Sequence, residues 1–408
     1  MNTMKNEHLL RNKLDEINTI LVNHQYENMD LGVLTGSAGI ALFHFYYSRF
    51  SQEEISADLG SMVIADIIQK INEGYDMPSF CTGISGAAWV IELLLEEEYI
   101  ELNADSLLAI LDDYLIEFLA IDPHENFYDF LHGVLGIGFY YLKRYERTQN
   151  LQLKEKYRQV LLDITRLLDN TATKDQCGLK WESYLIRSTG LRGYNLGLSH
   201  GISSIINFLS RLVKFDDFKT EGFPLLQGAT SFLMSCRNET GSTSTSFPDW
   251  IVENSSIDQS SRLAWCYGDL GIGITLWRAS EALNDAVIAK VAIDTLVHAS
   301  KRKNLHEARV MDAGLCHGAF GIMHIYNQMH EKTAHPIFKE TAEYWKEQAL
   351  DMAIHEDGLA GYQQWRGDGK EQWRKETNLL EGIAGIGLSI MTYLSPSMNK
   401  WDQCLLIN

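Results

Sequence analysis

The sequence lacks several features that would place it in a known class of protein. It has no apolar run of the roughly 18 residues that a membrane-spanning helix needs, so we predict no transmembrane segment. Its N-terminus lacks the basic and then apolar segments of a secretory signal. Basic residues are in deficit, with 35 Lys and Arg against 54 Asp and Glu and a formal net charge of −19. Nucleic acids and anionic membranes select basic surfaces, so neither is expected as a partner.

Cysteine and proline are also scarce, with six of each in 408 residues. Without a signal segment, six cysteines do not indicate a disulfide scaffold. We therefore expect a cytoplasmic protein in which any functional cysteine is a metal ligand or a nucleophile. The prolines are too few and too scattered to mark boundaries, so residues 1–408 are predicted to form a single domain.

What the sequence does contain is a repeat built on the glycine pattern G-x-x-G. Six complete copies begin at Gly36, Gly83, Gly133, Gly268, Gly318 and Gly382. A seventh begins at Gly201, where Ser204 replaces the second glycine. Each copy runs into mostly apolar residues, as expected of a helix buried on most sides. Amphipathic stretches such as 153–170 and 338–354 lie between the copies and predict helices with one wet face.

This alternation predicts an all-α fold, an α/α toroid (barrel) of seven inner helices ringed by seven outer ones. An open solenoid of helical hairpins has a similar period. In a solenoid both helices of each hairpin are usually amphipathic, so the strongly apolar copies favour a closed ring. We expect the glycines to allow close approach at each inner helix start and to adopt turn dihedrals that disfavour other residues. The N-terminal segment predicts an amphipathic helix with one apolar side: Leu9, Leu10, Leu14, Ile17 and Leu21.

The two residues ahead of each first glycine fall at the same end of every inner helix. In two consecutive copies they include Cys266 and the pair Cys316–His317. Consecutive copies should be neighbours, so the three side chains are predicted to converge and bind Zn²⁺, with a fourth position open as in catalytic sites. The alternative is small-residue packing, because cysteine is among the most buried residue types. Cys81 has the same register, but its copy is expected to lie across the ring, and we do not predict it as a ligand.

The stretches "RLAWCYGDLGIG" and "GLCHGAFGI" resemble the motifs of the lanthionine synthetase C-like (LanC-type) family, the cyclases of lantibiotic biosynthesis. The resemblance covers essentially the whole chain, because the seven copies match that family's α/α toroid. It implies zinc on Cys266, Cys316 and His317. It also implies a lanthionine synthetase, an enzyme that forms lanthionine and methyllanthionine thioether rings. In that reaction cysteine thiolates of a dehydrated precursor peptide add to dehydroalanine or dehydrobutyrine.

The resemblance further implies four catalytic residues. It places a histidine at His200 in "GLSHG" and an aspartate at Asp129 in "FYDFLHG". It places an arginine at Arg262 and a tyrosine at Tyr267, one on each side of the first zinc cysteine. Each also has a purely structural interpretation: a packed histidine, a helix N-cap, a loop cation and a core aromatic residue. His132 receives no assignment.

The partners implied are the dehydrated precursor peptide, leader plus core, a separate dehydratase that prepares it, and an exporter. Association with a membrane-bound biosynthetic complex is the alternative to a free cytoplasmic protein. Two long polar stretches, 237–261 and 355–378, are candidates for holding the peptide. The long gap between the third and fourth copies leaves room for an inserted element that recognises the leader peptide.

Two other functions stay open. One is a zinc-binding relative of the same family that engages glutathione or a protein partner without making rings. Such a binder would not need Asp129, His200 and Arg262 together. The other is an α/α-toroid glycosidase, which needs two carboxylates flanking a sugar. The register ahead of the glycines offers Glu381 and little else of that kind.

Overall fold

The computed structural model describes residues 2–24, 26, 29–120, 128–239, 244–253, 260–367 and 371–408. Seven of its helices begin directly after the first glycines of the repeat: α2 (Ser37–Ser51), α4 (Ile84–Glu96), α7 (Val134–Arg147), α9 (Ile202–Leu212), α11 (Asp269–Leu283), α14 (Ala319–Thr333) and α16 (Ile383–Leu394). They are buried over most of their length, and every residue of α9 is buried. The predicted inner helices are thus confirmed.

Seven further helices alternate with them: α1 (Asn2–Val22), α3 (Glu54–Asn72), α6 (Ala109–Ala120), α8 (Leu151–Thr171), α10 (Lys219–Ser235), α12 (Ala286–Ala299) and α15 (Pro336–Asp351). Each of them buries one side. In α1 the buried residues are Leu10, Leu14, Ile17 and Leu21, as predicted. Leu9 is 44% exposed, so its placement on the buried side is wrong. One residue step turns a helix by about 100°, which rotates Leu9 away from Leu10.

The residue contacts divide the chain into two compact units, 1–102 with 310–408 and 103–309. In the first unit the inner helices pack in the order α14, α16, α2, α4, so the last inner helix of the chain contacts the first. The N–H of Leu380 donates to the carbonyl oxygen of Leu34 at 2.8 Å. An open solenoid would keep these two copies apart. In the second unit α7, α9 and α11 pack in chain order. The single domain over 1–408 stays a prediction.

In five copies the second glycine lies against the carbonyl group six residues earlier: Gly39, Gly86, Gly271, Gly321 and Gly385. A Cβ atom at Gly86 would lie 1.9 Å from the oxygen of Phe80, and one at Gly385 would lie 1.8 Å from that of Leu379. No side chain fits there, so close approach explains these glycines. The turn-dihedral expectation is wrong for six of the seven first glycines, whose φ lies between −107° and −129°. Gly268, at φ +81°, is the one that needs glycine.

The serine-containing copy keeps the helix start by hydrogen bonding. The hydroxyl of Ser204 donates to the carbonyl oxygen of Gly201 at 2.7 Å. The neighbouring hydroxyl of Ser203 donates to the carbonyl oxygen of Leu196 at 2.5 Å. Both serines are fully buried, and α9 begins in the same place relative to its glycine as the other inner helices. The fourth copy therefore accommodates a side chain where the others have none.

Short antiparallel strands, which the sequence did not predict, occupy three connecting segments. The strands are β1 (Thr173–Asp175), β2 (Gly178–Lys180), β3 (Ser183–Ile186), β4 (Leu191–Asn195), β5 (Trp250–Ile251), β6 (Gln364–Gly367) and β7 (Glu371–Arg374). β1 pairs with β2, β3 with β4, β4 with β5, and β6 with β7. Within the two polar stretches, 240–243, 254–259 and 368–370 lie outside the described residues. A peptide-holding role there stays a prediction.

The shorter helical segments are α5 (Ala104–Leu107), α13 (Leu305–Ala308) and 3₁₀ turns at Arg187–Thr189, Asp216–Phe218 and Lys400–Leu405. The last of these buries Trp401, Cys404 and Leu405 near the C-terminus of the sequence. None of the described helices is both long enough and apolar enough to cross a membrane.

A buried ionic cluster between α6, α7 and α8 supports the second unit. Asp112 is fully buried, and its carboxylate lies 3.0 Å from the guanidinium of Arg144. It also accepts hydrogen bonds from the hydroxyls of Tyr140 and Tyr157, both at 2.6 Å. Asp112→Ala removes the nearer and fully buried partner of Arg144 and leaves only the half-buried Asp105, at 3.3 Å, to offset its charge. We expect the free energy of unfolding, measured by urea denaturation, to fall by about 3–5 kcal/mol.

The matched control is the neighbouring acidic residue on the same helix. Asp113 is 70% exposed and pairs with Lys156 at 2.6 Å. Exposed ion pairs contribute about 0–1 kcal/mol, so Asp113→Ala should leave the unfolding free energy nearly unchanged. Equal losses in the two variants would contradict the assignment of Asp112 as the buried anchor.

Candidate functional site

The loops that precede the inner helices are joined to one another by backbone hydrogen bonds. The N–H of Leu198 donates to the carbonyl oxygen of Cys266 at 2.9 Å, which joins the fourth copy to the fifth. In the other unit, the N–H of Cys316 donates to the carbonyl oxygen of Leu380 at 2.9 Å. These backbone hydrogen bonds therefore fix the positions of the loops that carry the candidate side chains.

His200 and Asp129 form a hydrogen-bonded pair. The Nδ1 atom of His200 lies 2.5 Å from the Oδ2 atom of Asp129. The other carboxylate oxygen, Oδ1, accepts the backbone N–H groups of Leu131 at 2.7 Å and His132 at 2.9 Å. Asp129 thus caps the turn ahead of α7 with one oxygen and orients His200 with the other. The cap lies on this turn and not on the helix itself, whose N-cap is Gly133. The catalytic role of Asp129 stays a prediction.

The two pKa values of this pair shift toward a charged pair. Burial lowers the pKa of His200, but the hydrogen bond and the charge of Asp129 outweigh it, so the pKa ends above its ordinary value. Burial likewise raises the pKa of Asp129, and its hydrogen bond and interaction with His200 outweigh this, so its pKa ends below the usual range. An imidazolium held by a carboxylate is suited to delivering a proton near neutral pH.

His132, which the sequence left unassigned, lies beside this pair. Its ring stacks on that of His200, with 6.1 Å between the ring centroids and 21° between the planes. Burial lowers the pKa of His132, and the charge of His200 lowers it further, against the opposing effect of Asp129. The pKa values of the two neighbouring imidazoles are therefore shifted in opposite directions.

Tyr267 is mostly buried on another side of His200, with 6.4 Å between the ring centroids. Its hydroxyl oxygen accepts a hydrogen bond from Nδ2 of Asn195 at 3.2 Å. The ring of Trp250 meets that of Tyr267 edge to face. Burial raises the pKa of the Tyr267 phenol, which keeps it neutral. The sequence offered no sign of Asn195 or Trp250, because both come from strands that it did not predict.

Arg262 is half-buried, and its charge acts on Asp249, a residue missed by the sequence analysis. Burial and the nearby charge of Cys266 raise the pKa of Asp249 to about 7, against the lowering effect of Arg262. The Oδ1 atom of Asp249 is fully buried. The sequence carries little signal for this carboxylate, which lies inside a polar stretch just ahead of β5.

Cys266, Cys316 and His317 are the three predicted zinc ligands, called the ligand group below. Cys266 lies in the loop ahead of α11, and Cys316 and His317 lie in the loop ahead of α14. Cys266 is buried, and the other two are half-buried. Two sulfurs and one imidazole make a soft donor set that suits Zn²⁺. Cys81 is outside the group, and its Sγ atom lies 3.5 Å from the Oγ1 atom of Thr35.

The family is shown by the sequence. The family model described as "Lanthionine synthetase C-like protein" matches residues 27–406. The chain therefore belongs to the lanthionine synthetase C-like family, as its motifs predicted.

Two solved structures resemble the chain over nearly its whole length. Nisin cyclase has a TM-score of 0.73 and 21% sequence identity, over 96% of each chain. Cellobiose 2-epimerase from Bacillus thermoamylovorans has a TM-score of 0.50 and 11% identity, over 97% of this chain and 100% of that one. At such identities the likeness shows the fold alone. The match to nisin cyclase confirms the predicted α/α toroid, and family and fold together support a lanthionine cyclase type of function.

Proposed function

We propose that the protein is a zinc-dependent peptide cyclase that forms lanthionine and methyllanthionine rings in a dehydrated precursor peptide. The observation that carries the proposal is the hydrogen-bonded pair of His200 and Asp129 in the same chain as the Cys266, Cys316, His317 group. The loops of His200 and Cys266 are themselves joined by the backbone hydrogen bond from Leu198. A thiol-activating set and a proton-delivering pair are the two parts that the reaction requires.

The reaction is an addition in which no atom is lost. The thiolate sulfur of a peptide cysteine forms a bond to the β-carbon of dehydroalanine or dehydrobutyrine, and the carbon–carbon double bond breaks. The electron pair of the broken carbon–carbon π bond is then shared between the α-carbon and the oxygen of the adjoining carbonyl group, as an enolate. A proton then adds to the α-carbon. The enzyme must therefore supply a thiolate, stabilise the enolate and deliver one proton.

The three grouped side chains fit a zinc ion with one coordination position left over. Cys266, Cys316 and His317 would hold the ion, which when bound would take the peptide thiol as a fourth ligand and lower its pKa from about 8.5. Two protein thiolates offset the 2+ charge, which leaves a soft environment for a sulfur nucleophile.

His200 is proposed as the proton donor to the α-carbon. Its Nδ1 atom is engaged by Asp129, so Nε2 is the nitrogen that faces the substrate in this proposal. Asp129 fixes the orientation of the ring and favours its protonated form. This arrangement lets one residue give up a proton in the addition and regain it from solvent.

Arg262 is proposed to stabilise the enolate oxygen. A guanidinium presents several N–H donors, and donors aimed at a developing oxyanion lower the barrier. Tyr267 lies between His200 and the side chains of Asn195 and Trp250, so it is proposed to line the substrate side of the site. Asn195 holds its hydroxyl in place.

The implied partners belong to the same proposal. The peptide substrate would come from a separate dehydratase and pass to an exporter, and a complex of these proteins at the membrane is one arrangement of them. A non-cyclising zinc protein that engages glutathione or a protein partner is the alternative. The paired geometry of His200 and Asp129 speaks for the cyclase, since binding a thiol needs no proton donor.

The direct test uses a synthetic peptide that carries one cysteine and one dehydroalanine four residues apart. Ring closure leaves the mass unchanged and removes the free thiol, so alkylation followed by mass spectrometry counts the rings formed. The proposal expects the zinc-loaded protein to speed thiol loss well above the rate without protein. A protein that binds zinc but leaves the rate unchanged would favour the binding alternative.

The pH dependence of this rate tests the role of Asp129. Because the pKa of His200 is raised, its acid form persists to higher pH than that of an ordinary histidine, and activity should fall as pH rises through that pKa. Asp129→Asn removes the charge and lowers the pKa of His200. We expect the falling limb of the pH–rate profile to move about one to three pH units lower. An unmoved limb would show that another group supplies the proton.

A further inference from the structure

One buried carboxylate outside the predicted site contacts a predicted zinc ligand. Asp312 is 3% exposed and lies in the loop that leads to Cys316 and His317. Its Oδ2 atom lies 3.2 Å from the Nε2 atom of His317. Its Oδ1 atom accepts the backbone N–H of Gly314 at 3.1 Å. Neither the repeat nor its motifs mark this residue in the sequence.

The same carboxylate also holds a neighbouring hairpin. The backbone N–H of Trp365, in β6, donates to Oδ2 of Asp312 at 2.9 Å. One residue further along this strand, the guanidinium of Arg366 lies 3.1 Å from the carboxylate of Glu381. Asp312 is therefore fixed from two sides, by Gly314 through Oδ1 and by the hairpin through Oδ2.

This placement decides which nitrogen of His317 is available. An oxygen of an ionised carboxylate only accepts hydrogen bonds, so the Nε2 atom that faces it must carry the proton. The neutral ring then has its lone pair on Nδ1. A histidine that binds a metal through one nitrogen commonly donates its other N–H to a carboxylate, which fixes the tautomer and the ring orientation.

We infer that Asp312 is a positioning residue that holds His317 with its proton on Nε2 and leaves Nδ1 for the metal. The inference deepens the proposed function and rests on it for the identity of the ion. Asparagine at this position has the shape of aspartate but offers one acceptor oxygen and one NH₂ donor. With its oxygen on Gly314, its NH₂ group faces Nε2 of His317. That nitrogen must then accept, and the proton moves to Nδ1.

Zinc affinity is the first readout, measured by competition with a chromophoric chelator. Asp312→Asn should weaken zinc binding by about 10–100-fold, the usual cost of removing an outer carboxylate partner. The matched control is Glu381→Gln, which breaks the ion pair to Arg366 at the same hairpin and leaves Asp312 unchanged. This control should bind zinc as the wild type does. Wild-type affinity in Asp312→Asn would overturn the inference.

The tautomer of His317 is the second readout, and it needs neither zinc nor a substitution at Asp312. The ¹⁵N shifts of the imidazole in the zinc-free wild-type protein, assigned by comparison with His317→Gln, should show the proton on Nε2. A proton on Nδ1 would overturn the inference. If the wild type binds no zinc, the proposed function fails, while the tautomer still decides the role of Asp312.

Discussion

His200→Ala is expected to slow ring formation by about 10²–10⁴-fold, the range for loss of a general acid. The enolate would then have to take its proton from water, without a donor held in place. The variant should keep its zinc, because His200 is not among the grouped ligands. Thiol alkylation of the dehydroalanine peptide over time gives the rate, and the metal content of the same sample gives the zinc.

His306 offers the control for this variant. It is an exposed histidine in α13, outside the candidate site, and His306→Ala should cyclise the peptide at the wild-type rate. Normal turnover in His200→Ala would remove the assignment of the proton donor. Loss of zinc in His200→Ala would show that the substitution disturbs the metal site, and the kinetic comparison would then say nothing for His200.

Cys316→Ala is expected to weaken zinc binding by more than about 100-fold. Loss of an outer partner already costs about 10–100-fold, and a direct ligand contributes more. Ring formation should fall to the rate without protein, since the peptide thiol would keep its ordinary pKa near 8.5. Zinc is measured by mass spectrometry after dialysis against a weak chelator.

Cys81→Ala is the matched control, because Cys81 has the same register in the second copy. Its Sγ atom contacts the Oγ1 atom of Thr35 and is outside the grouped ligands. The variant should keep both zinc and activity. Equal zinc loss in Cys81→Ala and Cys316→Ala would mean that the metal binds elsewhere or that both substitutions unfold the helix starts.

The repeat made most of the fold predictable. The repeat marks the starts of all seven inner helices. Ahead of α2, α4, α11, α14 and α16, steric contact with an earlier carbonyl excludes a side chain at the second glycine. The register ahead of the glycines predicted Cys266, Cys316 and His317 as ligands, since equivalent positions of a repeat fall at equivalent ends of its helices. Local pattern was therefore sufficient wherever the repeat itself fixes position.

The rest depends on contacts between segments that share no pattern. β4 and β5 are 55 residues apart at their nearest ends, and their pairing brings Asn195 beside Trp250 and Tyr267. Asp312 acquires its role from an N–H group 53 residues later in the chain. Asp249 is marked by burial and by the charge of Cys266, which a sequence does not display. These residues became visible as site residues only through tertiary structure.

The zinc K-edge X-ray absorption spectrum of the purified protein, with its metal content, tests the central claim most directly. We predict about one zinc per chain, with two sulfur neighbours at about 2.3 Å and one imidazole nitrogen at about 2.0–2.1 Å. In Cys266→Ala and in Cys316→Ala, any zinc that the variant retains should have one sulfur neighbour fewer. A folded protein that contains no zinc and takes none up on addition, or one whose zinc has only nitrogen and oxygen neighbours, would contradict the proposed site and its chemistry.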